Sequence, residues 1–600
     1  MKFLGGITAW LLLSALNPCL GALYEDASNL PSMEFDFVIV GGGTAGNVIA
    51  NRLTEDPRNL VLVLEAGVSN EGVLDSIVPY LNGNLIGATP FNWNFTTIPQ
   101  KGLNGRTYSY PRGHMLGGSS SINGLFYTRG SADDYDRYAR VTGDAGWSWD
   151  NLQSYIRKNE QWTAPTDGHN ATGEFNPAVH GFHGINSVSL AGFPSPIDSM
   201  VIQTTQQLPE EFPFNLDTNS GKPLGLGWFQ STIKKGVRSS SATSYLAPEF
   251  LSRPNLHVLL NARVTRLLKT SQGNQRLAFQ QVEFSQSGPK GPRLRVQASK
   301  EVILSAGSIG TPFILMHSGI GDRTELQKLD IQPLLHLPSV GKNASDHPVL
   351  GVSWEVNSVD TLDTLNRNAT VFQAAFKLWN ETHGGPLGNP GSTHIGWQRL
   401  ANNASIFKQF PDPSAGPNTA HIELAVQNGG TLIISTEAPT GNFFAIGVIV
   451  VTPASRGSVA LSSNNPFDMP LIDTAVLTSD FDLFAVREGI RRAQRFVTAP
   501  VWKSYIVGLS GGLQNVTTDA ELDDYIRNNT STAWHLAGTS AMSAPGATYG
   551  VVNPDLRVKG VNGLRIVDAS IFPFVPSAHT QAPTYIIAER AADIIKSFWS

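Results

Sequence analysis

Apolar and polar positions near the start of the chain mark out a strand, a turn, a helix and a second strand. Phe37-Val38-Ile39-Val40 is a short apolar, β-branched run, which predicts a fully buried strand. Thr44 to Leu53 predicts a helix, and Leu60 to Leu64 a second buried strand. Further along, Tyr135 to Asn159 has a helical pattern, with Trp147 and Trp149 near a loop, and Val201 to Leu208 is helical too. Leu256 to Leu260, Val264 to Leu268 and Val302 to Ala306 are strand-like. A helix is expected from Gly307 to about Ser318. From about Val349 to Asp473 the pattern changes to strand-like alternation broken by Asn, Pro and Gly, as in an antiparallel sheet with excursions. Asp480 to Phe496 predicts a helix, Ile566-Val567 a strand ending in Asp568, and Pro583 to Phe598 a last helix. Asp75 to Gly105 is expected to be irregular surface chain.

The turn after the first strand carries the first chemistry. Gly41, Gly43 and Gly46 fit G-x-G-x-x-G. In that motif the first glycine permits the tight turn, the second lets backbone approach a pyrophosphate, and the third packs the helix on the strand. The helix start at Thr44 and Ala45 offers free N–H groups and a positive dipole end to phosphate. Glu65 closes the second strand about 20 residues on, where a carboxylate can hold a ribose hydroxyl. This predicts dinucleotide binding; the alternative is a glycine-rich turn in another α/β protein. The expected fold class is α/β (α+β overall). A Rossmann-like domain of discontinuous segments, 33–345 and 546–600, is joined to a substrate domain with an antiparallel sheet, 346–545.

Composition narrows the setting. Lys2, the apolar run Trp10 to Leu16 and small residues at Gly21-Ala22 read as a secretory signal over residues 1–22. The single cysteine, Cys19, lies inside it, so no disulfide or thiolate metal site is expected, and no metal. The sequons at Asn94, Asn170, Asn343, Asn368, Asn380, Asn403, Asn515, Asn528 and Asn529 fit a secreted glycoprotein. A net charge of −5 with interspersed signs excludes an obvious nucleic-acid surface. No apolar stretch after the signal is long enough for a membrane anchor.

Several longer runs resemble a known family. FDFVIVGGGTAGNVIANRL, RGHMLGGSSSINGLFYTRG from Arg112, SAGSIGTPFILMHSGIG from Ser305, SVGKNASDHP from Ser339, WHLAGTSAMS from Trp534 and GLRIVDASIFPFVPSAHTQAP from Gly563 are similar to the glucose–methanol–choline (GMC) oxidoreductases. The likeness spans nearly the whole mature chain. GDAGWSWDNL, EEFPFNLDTNSGKPLGLGW and RSSSATSYL point to the secreted fungal aryl-alcohol oxidase and pyranose dehydrogenase branch.

The resemblance implies FAD. It places Thr44-Ala45 at the pyrophosphate and Glu65-Ala66 at the adenosine ribose. Asn123, Gly124, Leu125 and Phe126 lie along the isoalloxazine and ribityl chain, and Val264 meets the adenine. Asp568-Ala569 and Thr580-Gln581 return at the pyrophosphate and flavin ends. Ile122 stands where pyranose dehydrogenases carry a flavin-linking histidine, so FAD is expected to be non-covalent. Asn123-Gly124 stands where aryl-alcohol oxidases carry His-Tyr. His535 is implied as the catalytic base and His579 as its hydrogen-bonding partner. His114 is read as structural, and His347 as support for the flavin from behind. Trp534 and Trp93 are candidates for an aromatic pocket wall.

The expected function is a secreted, monomeric alcohol oxidoreductase. It would move hydride from a primary, aromatic or allylic, alcohol to flavin, with O2 or quinone as acceptor. Two alternatives stay open: a sugar dehydrogenase using quinones, and a catalytically inert flavin-fold glycoprotein.

Overall fold

The structure, a computed structural model, describes residues 23–272, 276–430 and 440–600. Residues 1–22, read above as a secretory signal and holding Cys19, and residues 431–439 of the region read as antiparallel sheet, lie outside them.

Two sheets organise the chain. The first has eight strands among the described residues. Its parallel centre runs Leu256–Leu259, Val61–Leu64, Glu34–Val40 and Leu294–Leu304. Val38, Ile39, Leu62, Val63, Val302 and Ile303 are each 0% exposed, as continuous β-branched and leucine runs in a two-sided sheet require. The long strand Leu294–Leu304 changes partner along its length. Its first half pairs antiparallel with Phe279–Ser285, and its end pairs parallel with Leu564–Ile566. Arg263–Lys269 closes that edge.

Helix Thr44–Leu53 lies over this sheet and packs on the last helix, Gln581–Trp599. A buried pair, Arg52 with Glu589 (2.7 Å), locks the two helices. A stretch more than 500 residues downstream therefore completes the first unit.

The second sheet is antiparallel and has seven strands among the described residues. Its order is Ile506–Leu509, Pro348–Val356, Phe443–Val450, Ile422–Gln427, Ser392–Gln398 and Gly225–Trp228, with Ser531–Thr532 beside Pro348–Val356. Alternation divides it into two faces. Leu350, Val352, Leu424, Val426, Ile446 and Val448 pack under helix Asp480–Phe496 through Phe481, Val486 and Ile490. The strand Gly225–Trp228 comes from far upstream, while Ala537 and Met542 pack in the core of the first sheet.

Three local readings change. Tyr135 to Asn159 is two helices, Ala132–Thr142 and Trp149–Asn159, because Gly143 takes a left-handed φ of 73° and stops the first. Asp75 to Gly105 is more regular than expected, with a helical turn at Leu74–Ile77 and a 3-10 run over Pro79–Leu85. Between the second sheet's strands sits a helix, Ala369–Thr382, capped by Asn368, which the alternation did not reveal.

Candidate active site

One cavity of about 400 Å³ runs from the carboxyl ends of the parallel strands to one face of the antiparallel sheet. At its first end the lining is mostly backbone. Gly41, Gly43, Thr44 and Ala45 form one wall, with Gly118 opposite. A Cβ on Gly118 would lie 2.9 Å from the Cα of Gly43, so the two loops meet as bare backbone. Gly46 does not line the cavity. A Cβ there would lie 2.0 Å from the Gly41 carbonyl, so its role is the close fit of helix on strand.

Glu65 also lines this end and is 5% exposed. Its carboxylate accepts from the amides of Gly42 (2.9 Å) and Gly67 (2.7 Å). Burial nevertheless pushes it up to about 7. Ala66 and Val264 are beside it in the wall. Asp568 and Ala569 reach the same region. The Asp568 carboxylate is already engaged, accepting from Gly307 N (2.9 Å), Thr311 Oγ1 (2.6 Å) and Ser570 N (2.8 Å). It thus caps helix Gly307–His317. The start of helix Thr44–Leu53 has no side-chain cap, which leaves its N–H groups for an anion.

The middle of the cavity is lined by Asn123, Gly124, Leu125, Phe126, Thr580 and Gln581. Asn123 donates to the Gln581 side chain, and its oxygen accepts from Arg238 Nη1 (2.7 Å). Arg238 is 3% exposed, and burial pulls it down to about 9. Leu125 and Trp534 both have left-handed backbone, φ 65° and 57°. Such conformations cost of order 1–3 kcal/mol and persist where surrounding structure holds them. No local pattern in the sequence marks either position.

His535 and His579 meet at the far end, their rings perpendicular and 4.6 Å apart. Asp346 sets the first. Its Oδ1 accepts from the amides of His535 (2.7 Å) and His347 (2.8 Å), and Tyr110 donates to its Oδ2 (2.5 Å). Tyr110 in turn accepts from Leu536 N (3.1 Å). His347 therefore sits behind His535, with the two Nδ1 atoms 3.0 Å apart. Burial holds His535 well below the ordinary histidine value, and the charges of His579, His347 and Arg112 act the same way. His535 is a neutral imidazole at neutral pH.

His579 turns its Nε2 to Glu423 Oε1 (2.8 Å) and stacks on Phe126, with centroids 4.1 Å apart. Glu423 is 1% exposed and its Oε2 has no partner. His579 is the side chain that meets this buried carboxyl group. Sequence reading missed Glu423. The signal was an acid in the alternating strand Ile422–Gln427, on the face opposite Ile422, Leu424 and Val426. Trp93 and Phe95 stack at 5.5 Å in the cavity wall, and His114 packs edge-on against Trp93.

Comparison with known proteins decides the family. Two sequence patterns described as GMC oxidoreductase match residues 35–349 and 453–588. The chain belongs to the GMC oxidoreductase family. It is 43% identical to dehydrogenase eriK of Hericium erinaceus, covering 99% of this chain and 100% of the relative. It is 39% identical to pyranose dehydrogenase 3 of Leucoagaricus meleagris, covering 95% and 94%. Among solved structures, formate oxidase of Aspergillus oryzae superposes with a TM-score of 0.84 at 28% identity, over 94% of this chain and 98% of that one. A fungal aryl-alcohol oxidase shares the fold, with a TM-score of 0.79, 24% identity and coverage of 95% and 100%.

As a GMC oxidoreductase the protein is an enzyme acting on CH–OH donors, and the family's cofactor is FAD. The cavity fits that group. Glycine backbone and an uncapped helix start suit a pyrophosphate, and Glu65 suits a ribose. Beyond the middle of the cavity the antiparallel sheet presents Val349, Gly351, Ala425, Ala445, Gly447 and Ile449, with Gln427 as a polar side chain among them. Small residues on alternate positions of three adjacent strands leave space in front of the two histidines. Among the described residues no helix is long and apolar enough to cross a membrane, and no group of three or more His, Cys, Asp or Glu side chains is placed to hold a metal.

Proposed function

We propose that this GMC oxidoreductase is a sugar-type dehydrogenase, oxidising a hydroxyl of a pyranose with non-covalent FAD and passing the electrons to a quinone. The observation that carries the reaction type is the pair of imidazoles at the end of the cavity lined by the expected cofactor residues. Bound FAD supplies the hydride acceptor. His535, kept neutral by burial, takes the hydroxyl proton as the C–H bond is broken. His579, hydrogen-bonded to Glu423, donates toward the oxygen on which negative charge grows. Asp346 and Tyr110 hold His535 in place from its backbone side.

The sugar class rests on the full-length relatives named pyranose dehydrogenase. Space in front of the histidines accommodates a ring, and Gln427 and Ser392 offer polar groups at its edge. Non-covalent attachment is supported by Ile122, which lines the cavity with a hydrocarbon side chain and packs with Leu85 and Met115. Aromatic primary alcohols are the second reading, favoured by the wall of Phe126, Trp534, Val349 and Ile449.

Secretion is part of the proposal. It is supported by the signal pattern and by exposed sequons at Asn170, Asn368, Asn380, Asn403 and Asn515. Asn343 is less suited to a glycan, because its Nδ2 donates to the Pro573 carbonyl (3.2 Å).

Anaerobic mixing of the holoenzyme with glucose, xylose, galactose and anisyl alcohol tests the substrate class. Flavin bleaching by the sugars, followed by rapid reoxidation with benzoquinone and slow reoxidation with air, is expected. Bleaching by anisyl alcohol alone replaces the sugar reading with the aryl one. Release of the yellow cofactor on denaturation tests the non-covalent link.

A further inference from the structure

We propose that Arg238 is a positioning residue that sets His579 from a distance, by orienting the amide of Asn123 and so tying the turn Asn123–Phe126 to the start of the last helix. Its effect on turnover rests on the reading of His579 as the donor to the substrate oxygen.

Arg238 belongs to a short hairpin, Ile233–Lys234 with Val237–Arg238, and is buried. Its Nε donates to the Ser76 carbonyl (2.7 Å), and its Nη1 to the Ser120 carbonyl (3.2 Å) and to Asn123 Oδ1 (2.7 Å). All three acceptors are uncharged. A cation sealed from water without a carboxylate is costly to bury, and its bonds to the neutral acceptors beside it are stronger for its charge.

The amide of Asn123 has one arrangement in this setting. The guanidinium donates to it, and the backbone N–H of Leu125 donates to the same atom (3.1 Å). An amide nitrogen cannot accept, so that atom is the oxygen, and the nitrogen faces the Gln581 side chain. Gln581 is oriented in turn: its oxygen accepts from Asn123, and its Nε2 donates to Thr232 Oγ1 (3.1 Å). Thr232 stands next to the same hairpin and donates its N–H to the Leu125 carbonyl (2.9 Å). Both backbone polar groups of Leu125 are thus held, the N–H through Asn123 and the carbonyl directly. Leu125 is the residue kept at a left-handed φ of 65°. Two contacts carry this to His579. Phe126 follows the turn and stacks on the His579 ring, and Gln581, two residues after His579, begins the last helix. Without Arg238 the Asn123 amide is free to rotate, its bond to Gln581 is lost, and Leu125 can relax from a conformation that costs energy to hold. Both contacts on His579 then loosen together.

Crystal structures of oxidised holoenzyme variants test this without any substrate, so an error in the role of His579 leaves this arm intact. Arg238→Met keeps an apolar stem and offers no donor; Arg238→Lys keeps a donor for Asn123. Arg238→Met is expected to show a turned Asn123 amide, a broken Asn123–Gln581 bond and Phe126 and His579 centroids further apart than 4.1 Å. Arg238→Lys should keep all three as in the wild type. Asn123, Phe126 and His579 unmoved in Arg238→Met overturn the proposal.

Kinetics supply the second arm. Arg238→Met is expected to lower kcat about 10–10²-fold with little change in KM, the cost of misplacing a group by about 1 Å. Arg238→Lys should recover most of that loss. Asn123→Leu breaks the same link with Arg238 in place, and so decides the matter if Arg238→Met does not fold. It should cost about as much, and Arg238→Met added to it should cost nothing further. Losses that multiply in the double variant, or a wild-type kcat in Asn123→Leu, overturn the proposal. His579→Ala is the control: if it too keeps the wild-type kcat, the reading of His579 fails, and the crystal structures alone judge Arg238.

Discussion

The two sheets meet the same cavity in different ways. The parallel sheet offers the ends of its strands, and what lines the cavity there is largely main chain: Gly41, Gly43, Gly118 and the start of helix Thr44–Leu53. The antiparallel sheet offers a face, and what lines the cavity is every second side chain of three strands. In the first region a substitution is judged by whether backbone can still approach backbone. In the second it is judged by what the new side chain puts into the space. The contrast extends to charge. Burial pushes Glu65 up to about 7, and pushes His535 down. Both regions thus favour a neutral group where the cavity is driest.

The sharpest test of this division is at the histidines. His535→Ala is expected to cut kcat by about 10²–10⁴-fold while the flavin spectrum stays unchanged, because proton transfer is lost and cofactor contacts are not. Stopped-flow flavin reduction measures it. Loss of flavin in this variant would erase the distinction between the two ends.

Next in size is the pH response of Glu65 in the cofactor-free protein. Its folded value lies above the ordinary 4.5, so its neutral form is the one favoured by folding. Its contribution is fully present below about 4.5 and is lost as pH rises through about 7, a loss of roughly 3 kcal/mol. Comparing urea denaturation of the wild type with Glu65→Gln should show that slope only in the wild type.

Gly46→Ala brings a Cβ to 2.0 Å from the Gly41 carbonyl. A cost of about 1–3 kcal/mol in stability is expected, with weaker flavin retention, measured by thermal melting and gel filtration. Gly447→Ala is the contrasting change. Its Cβ would lie 3.6 Å from that of Ala425, an ordinary contact, so melting should not change. It narrows the space before the histidines, and KM for the preferred substrate should rise a few-fold, about 1 kcal/mol or less. A fall in melting temperature as large as that of Gly46→Ala would blur the comparison.

The same contrast explains what the sequence disclosed. The nucleotide end is legible because its glycines stand at fixed spacing in one short stretch and Glu65 follows at a set distance. The two histidines were singled out because each sits in a recognisable run, and the structure brings their rings to 4.6 Å. Glu423, Gly351, Gly447 and Asp346 come together only after strands far apart in the chain pair up, and no local spacing joins them. His347 was read as support for the flavin, and the structure adds that its ring meets His535. Helix Ala369–Thr382 carries Phe372, Ala375, Phe376 and Trp379 at helical spacing, a stripe that the strand-like reading of the surrounding region passed over. The break at Gly143 was visible as a glycine, but only the left-handed conformation makes it a stop.

The partnership of Glu34–Val40 with Leu294–Leu304 and of Thr44–Leu53 with Gln581–Trp599 has a consequence for biogenesis. The glycine turn leaves the ribosome early, yet the floor beside it arrives some 260 residues later and Gln581 later still. Flavin loading must therefore wait until most of the polypeptide has emerged, and capture of the vitamin-derived ligand reports that distant segments have found each other. Long-range closure of this kind folds slowly, so riboflavin supply during expression should govern how much of the protein escapes quality control.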